Sequence, residues 1–245
     1  MVHRRSALVA LLCGSPAATS LATAAEDGSA ELDRLGRFEG VLGRPGVVIG
    51  VPHGTPDAGT MDAGHLLCAK LGVSGVFAIG FWDTKTRQRI NVNRPTEQVI
   101  GADSAVLRQW RSDRAVALNL RYEARVKEAA QGTLKAFYEL HSNHMPKYAG
   151  SIEVSTFGVS RAEASSFKAA FEAASQRLMP DVPRLAVHVS PIDRVTYPNF
   201  RAASSISALA QKGCAIEHPG HVYANRAWRQ AYANCLAEAI ETARW

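Results

Sequence analysis

Two hydrophobic periods alternate along this chain, and the switches between them lay out its elements. Short β-branched and aromatic runs predict strands over 47–51, 76–81, 135–140, 152–156, 185–189 and 214–216. Helical spacing takes over between them. Phe167, Ala170, Phe171, Ala174 and Leu178 recur three or four apart until Pro180 ends the run. Trp228, Tyr232, Cys235, Leu236, Ala239 and Ile240 share one face of a last helix over roughly 224–243. Shorter helices are predicted over 61–71, 104–110, 116–130 and 203–212, after an irregular lead-in over 25–40. Strands and helices in such alternation predict an α/β class: a single domain whose central mixed, largely parallel sheet is flanked by helices. There is no internal repeat, no low-complexity tract and no linker that would divide it.

The N-terminus has a separate purpose. A basic start with Arg4 and Arg5 precedes an apolar stretch from Ala7 to Cys13, and Ala22-Thr23-Ala24 is a small-x-small cleavage signal. Residues 1–24 therefore predict a signal peptide, and 25–245 a secreted or periplasmic mature protein with no membrane association after cleavage. No later segment reaches the length of a membrane span. Cleavage removes two arginines and no acid, so the formal charge falls from +6 to +4. The remaining basic residues are scattered and not interleaved with aromatics, which argues against nucleic acid as a partner. Of the cysteines left (Cys68, Cys214 and Cys235), Cys214 and Cys235 are the pair expected to bridge in an oxidising compartment. With no CxxC pair, a cysteine-based zinc site is not expected.

The candidate chemistry sits at strand ends, where α/β proteins build their sites. The run over 47–51 delivers His53 onto a Gly/Pro loop, with Asp57 four residues later; a second run ends on His141. Two imidazoles and a carboxylate are the minimal ligand set of a catalytic Zn2+, which keeps a fourth position for water. Asp57 also fits as a helix cap near Thr60, and Asp62 is a rival carboxylate. Glu139 shares a strand face with His141 and is placed to orient its ring. Glu217 ends the run over 214–216, where a carboxylate can take a proton from an attacking water and return it to a leaving amine. Arg87 with Asn91 four residues on, followed by Asn93 and Arg94, suits recognition of a substrate carboxylate. Alone, that stretch reads equally as a polar edge strand closed by Pro95. His65 and His188 read as structural, His144 as a spare loop residue, and His218-Pro219-Gly220-His221 as a turn.

Taken in order, these parts are Pro52-His53-Gly54, Asp57 with Thr60, Arg87-x3-Asn91-Val92-Asn93-Arg94-Pro95, Glu139-Leu140-His141-Ser142, and Ile216-Glu217-x8-Arg226. The series resembles the N-formylglutamate amidohydrolase family, which is similar in fold and site to the zinc carboxypeptidases. The match runs from about Val47 to the C-terminus, with a poorly matched stretch between Arg161 and Ala202. The resemblance implies that His53, Asp57 and His141 bind zinc. It also implies that Arg87, Asn93 and Arg94 hold the carboxylate of a small-molecule or peptide substrate, that Glu217 is general base and then acid, and that Arg226 supports Glu217 or the substrate. Asn91 and Glu139 stand where the family more usually has aspartate, and His53 and Asp57 lie further apart than the equivalent ligands of zinc carboxypeptidases. An export signal favours an extracytoplasmic amide over formylglutamate itself. The expected activity is that of a zinc-dependent amidohydrolase. The alternatives are a periplasmic binding protein that kept only the carboxylate clamp, and a cysteine or serine hydrolase, for which no G-x-S-x-G motif exists.

Overall fold

The predicted alternation of strands and helices is realised in a computed structural model that describes residues 29–57, 59–102, 105–144, 148–196 and 206–245. The expected signal peptide lies outside these residues. In chain order the elements are α1 (Ser29–Leu35), β1 (Gly36–Val41), β2 (Arg44–Val51), α2 (Thr60–Leu71) and β3 (Val73–Gly80). Next come β4 (Trp82–Asp83), β5 (Gln88–Asn91), β6 (Thr96–Ile100), β7 (Val106–Arg111) and α3 (Asp113–Ala130). The remainder are β8 (Ala136–Asn143), β9 (Ser151–Phe157), α4 (Arg161–Leu178), β10 (Ala186–Val189), β11 (Lys212–Pro219), α5 (Gly220–Ala224) and α6 (Arg226–Ala243).

Seven strands form the main sheet in the order β1-β3-β2-β8-β11-β9-β10. Its β3-β2, β2-β8, β8-β11 and β9-β10 pairs are parallel, while β1-β3 and β11-β9 are antiparallel. The expected class, α/β with a mixed and mostly parallel sheet between helices, is thus the one found. Alternation along each strand divides the core in two. Ile49, Val51, Phe77, Tyr138, Leu140, Cys214 and Ile216 pack with apolar residues of α2, α4 and α6. On the opposite face Val48, Val76, Ala78 and Phe137 pack with Ala115, Leu118, Tyr122 and Val126 of α3. Among the described residues no helix is long and apolar enough to cross a membrane.

Four expectations are corrected. The lead-in over 25–40 contains α1 and β1, and β1 pairs antiparallel with β3 at the sheet edge (residues 25–28 lie outside the described residues). The helix expected over 104–110 gives way to strand β7 from Val106: Val106, Leu107, Gln109 and Trp110 hold no helical stripe, and pairing with β6 decides their conformation; residue 104 lies outside the described residues. The helix expected over 203–212 is a short 3-10 turn, Ile206–Leu209, because Lys212 already belongs to β11; residues 203–205 are outside the described set. Cys214 and Cys235 are free thiols, as is Cys68. Cys214 and Cys235 both lie in the same apolar core without a bridge, and burial raises the thiol pKa of both, that of Cys235 to about 12.

The stretch between β3 and α3 is a separate four-stranded antiparallel meander, β4-β5-β6-β7, and not one polar edge strand. Two contacts fasten it to α3. Arg114 donates from Nε and Nη2 to both oxygens of Glu97, at 2.7 and 2.6 Å, and Glu97 is 1% exposed. The bidentate fork on a buried carboxylate sets this pair apart from ion pairs exposed on both sides, which contribute about 0–1 kcal/mol, although Arg114 itself reaches solvent. Further along α3, Asn119 Nδ2 donates to the Val92 carbonyl at 2.8 Å.

Candidate metal centre

His53, Asp57 and His141 converge at the C-terminal ends of β2 and β8, all three buried. Their facing atoms form a small triangle. His53 Nδ1 and His141 Nδ1 are 3.3 Å apart, His53 Nδ1 and Asp57 Oδ2 3.6 Å, and His141 Nδ1 and Asp57 Oδ2 3.9 Å. Ligand atoms about 2.0–2.2 Å from a tetrahedral zinc lie about 3.3–3.6 Å from one another, so the set fits such an ion with little adjustment.

Local chain chemistry brings these groups together. β2 ends at Val51, and the following turn is closed by Asp57 N–H donating to the His53 carbonyl at 2.8 Å. Gly54 N–H donates to the Ala78 carbonyl of β3 at 3.2 Å. A Cβ on Gly54 would stand 2.7 Å from that carbonyl oxygen and would collide with Met61 Sδ, so only glycine lets the His53 loop approach this closely. The capping role open to Asp57 is not the one it takes. Gly59, at φ 82°, is the N-cap of α2 without a side-chain bond, and Thr60 Oγ1 meets only the Asp57 carbonyl. The Asp57 carboxylate instead accepts from the Ser142 N–H at 3.2 Å and lies 3.7 Å from Arg89 Nη1. The rival Asp62 is 64% exposed on α2 and paired with Arg229, outside the triangle.

Proton placement favours metal binding. His141 Nε2 lies 2.8 Å from Glu139 Oε1, so its proton goes to the carboxylate and Nδ1 presents its lone pair to the triangle. Burial, helped by the charge of Arg89, lowers the His53 pKa to about 4, leaving a neutral imidazole at pH 7. Burial alone would raise the pKa of Asp57, but His53, Arg89 and His141 outweigh it and keep the carboxylate ionised. For His141 burial pulls downward, yet Glu217, Glu139 and Asp57 together raise its pKa.

The triangle opens into a cleft of about 530 Å³ lined on the sheet side by His141, Ser142, Asn143, His144 and Glu217, and on the meander side by arginines and amides. Glu217 of β11 is the register partner of His141. Arg94 lines the cleft. Arg87 lines it as well, but its Nε and Nη2 donate to the Ile100 and Gly101 carbonyls at 2.7 and 2.6 Å. Asn93 Nδ2 donates to Glu139 Oε1. Arg226 is exposed at the start of α6 and is not among the cleft residues, since the helix carries it away from β11. His218 faces away from Glu217 and bonds Tyr232, and exposed His65 stacks on Phe77.

Arg89 is a charged cleft residue that the sequence analysis does not single out. Arg89 approaches Asp57, its charge interacts with Glu217, and Gln98 Oε1 accepts from its Nη2 at 2.7 Å. Gln98 in turn donates to Gln109 Oε1 at 3.0 Å, so a ladder of side chains across β5, β6 and β7 holds the guanidinium. Strand alternation counted back from Asn91 selects Arg89, whereas spacing by four selected Arg87.

No family model and no curated protein sequence matches this chain. Solved structures do share its fold. The gene product Atu2144 from Agrobacterium tumefaciens superposes with a TM-score of 0.52 at 15% identity, over 82% of this chain and 91% of that one. The zinc-free apo form of YNDL gives 0.52 at 11% identity, over 90% and 94%. A bacteriophage poly-γ-glutamate hydrolase gives 0.49 at 12% identity, over 84% and 88%. The likenesses to Atu2144 and YNDL show a shared fold.

The role of Gly54 has a direct test. Gly54→Ala is expected to give a folded protein whose affinity for a divalent metal is at least about tenfold weaker, because the added methyl pushes the His53 loop off β3. Gly150→Ala, where nothing lies within 4 Å of an added Cβ, should bind as the unaltered protein does. Metal titration followed by calorimetry distinguishes the two; equal affinities would remove Gly54 from the account.

Proposed function

We propose that this chain is an exported zinc-dependent amidohydrolase that cleaves an amide bond in a carboxylate-bearing substrate: an N-acyl amino acid, a glutamyl amide or a short peptide. The observation carrying this reading is the convergence of His53 Nδ1, His141 Nδ1 and Asp57 Oδ2, with Glu139 orienting His141 and Glu217 in register beside it. Two imidazoles and one carboxylate are a ligand set of catalytic zinc, and a fold shared with a protein whose apo form is described as zinc-free supports the choice of ion. Bound zinc supplies a Lewis acid for the amide carbonyl and lowers the pKa of the attacking water.

The chain's own residues do the rest. Glu217 accepts the proton of the attacking water on a carboxylate oxygen and delivers it to the departing amine nitrogen. Arg94 binds the substrate carboxylate, with Arg89 the cation nearest the reacting carbonyl and Arg87 holding the meander that presents both. Export is supported by the basic start, the apolar stretch and the Ala22–Ala24 signal.

The test is zinc analysis of the purified mature protein together with a chelator-controlled screen of acyl-amino acids and glutamyl peptides. One zinc per chain and hydrolysis that is lost with chelator and restored by zinc are expected. Turnover indifferent to chelators would overturn the reading in favour of a side-chain nucleophile; stoichiometric zinc and ligand binding without turnover would favour a binding protein.

A further inference from the structure

We propose that Asn93 is a positioning residue of the metal centre, acting through Glu139 on His141, and not a member of the substrate clamp. The inference rests on the zinc reading above. Asn93 lies in the turn between β5 and β6, and that turn is pinned from several sides. Asn91 Nδ2 donates to Thr96 Oγ1 at 2.9 Å, Thr96 N–H donates to the Arg94 carbonyl at 2.7 Å, and Val92 O accepts from Asn119 of α3. Held this way, the Asn93 side chain is only 5% exposed and reaches the main sheet.

There its Nδ2 donates to Glu139 Oε1, the same oxygen that lies 2.8 Å from His141 Nε2. An ionised carboxylate only accepts, so the amide must present its nitrogen. Its other end, Oδ1, is buried with no hydrogen-bond partner among the described residues, so the side chain sits there at the expense of its own carbonyl. Glu139, 3% exposed, thus has a second donor that steadies its charge in a buried site. A steadied Glu139 keeps the proton of His141 on Nε2 and the lone pair on Nδ1, the tautomer the metal needs. The chain Asn93–Glu139–His141 also spans two sheets, which couples the docking of the meander to the quality of the metal site.

The two roles separate in measurement. A clamp residue changes the Michaelis constant and leaves zinc affinity alone; a positioning residue changes zinc affinity. Zinc affinity is measured by competition with a chromophoric chelator, and Co(II)-substituted protein supplies the visible ligand-field spectrum. Asn93→Ala is expected to weaken zinc about 10–100-fold and to shift the Co(II) spectrum. Arg94→Ala, a clamp variant, should leave both unchanged while raising the Michaelis constant for an acyl-amino acid. Asn93→Leu keeps the branched side-chain shape and removes both polar amide atoms; it should be folded by circular dichroism and show the same loss of zinc. Wild-type zinc affinity in a folded Asn93→Leu protein overturns the inference alone. A wild-type chain without zinc affinity overturns the functional reading and this inference together.

Discussion

Replacing His141 by alanine is expected to release the metal and end turnover, the largest effect any single substitution should have here. His141 supplies one corner of the triangle through Nδ1, and its Nε2 is the only link from that triangle to Glu139 among the described contacts. Loss of an outer partner typically weakens a site about 10–100-fold; loss of the ligand itself should exceed the upper end of that range. His53→Ala should do the same, whereas His144→Ala, beside Ser142 on the cleft wall, should retain zinc. The sign of the pH dependence follows from the same geometry. Zinc and a proton compete for His141 Nδ1, so affinity is full above the pKa of His141 and falls about tenfold per pH unit below it. That pKa is raised by Glu217, Glu139 and Asp57, so the decline begins above the ordinary histidine range, while His53, lowered to about 4, enters only in more acidic solution. Zinc titrations at a series of pH values read both effects; a His141→Ala protein that keeps stoichiometric zinc would remove the metal centre as drawn.

The second large effect belongs to Glu217→Gln, expected to keep zinc and lose turnover by about 10²–10⁴-fold, equivalent to about 3–5 kcal/mol of barrier. Adjacent strands lie about 4.8 Å apart, and Glu217 is paired in register with His141, so its carboxylate stands one strand from the ligand set and on the same face. It is half-buried on the cleft wall, close enough to Arg89 to interact with its charge. Glutamine preserves the shape and cannot carry the proton. Metal content measured alongside kcat separates the possibilities: lost zinc would make Glu217 a ligand, and unchanged turnover would end its role as base.

Much of this was legible in residue order. The strands carrying His53, His141 and Glu217 are short apolar runs whose burial left no other conformation open, and Glu139 with His141 follows from the two-residue period of a strand. α4 and α6 were equally plain from their stripes. What escaped is concentrated in segments without a strong apolar period. β1 and β7 are edge strands whose conformation comes from pairing, β1 with β3 beyond an intervening strand and helix and β7 with the neighbouring β6, and the meander is built largely of polar positions satisfied by one another. Arg89 is hidden for that reason, and residue order does not show that Arg87 and Asn93, which do line the cleft, give donors to the Ile100 and Gly101 carbonyls and to Glu139.

Residue order by itself determined the α/β class, six of the seven main-sheet strands and the chemical types at their ends, because burying apolar side chains is a local demand repeated at a fixed period. Only the tertiary structure decided which groups face one another. It turned Asp57 from a helix cap toward two imidazoles, set Asp62 against Arg229, and carried Arg226 out of the cleft. A ligand set depends on distances of a few ångströms between atoms 88 residues apart in the chain, as His53 and His141 are. No local period encodes such a distance; strand order and register create it.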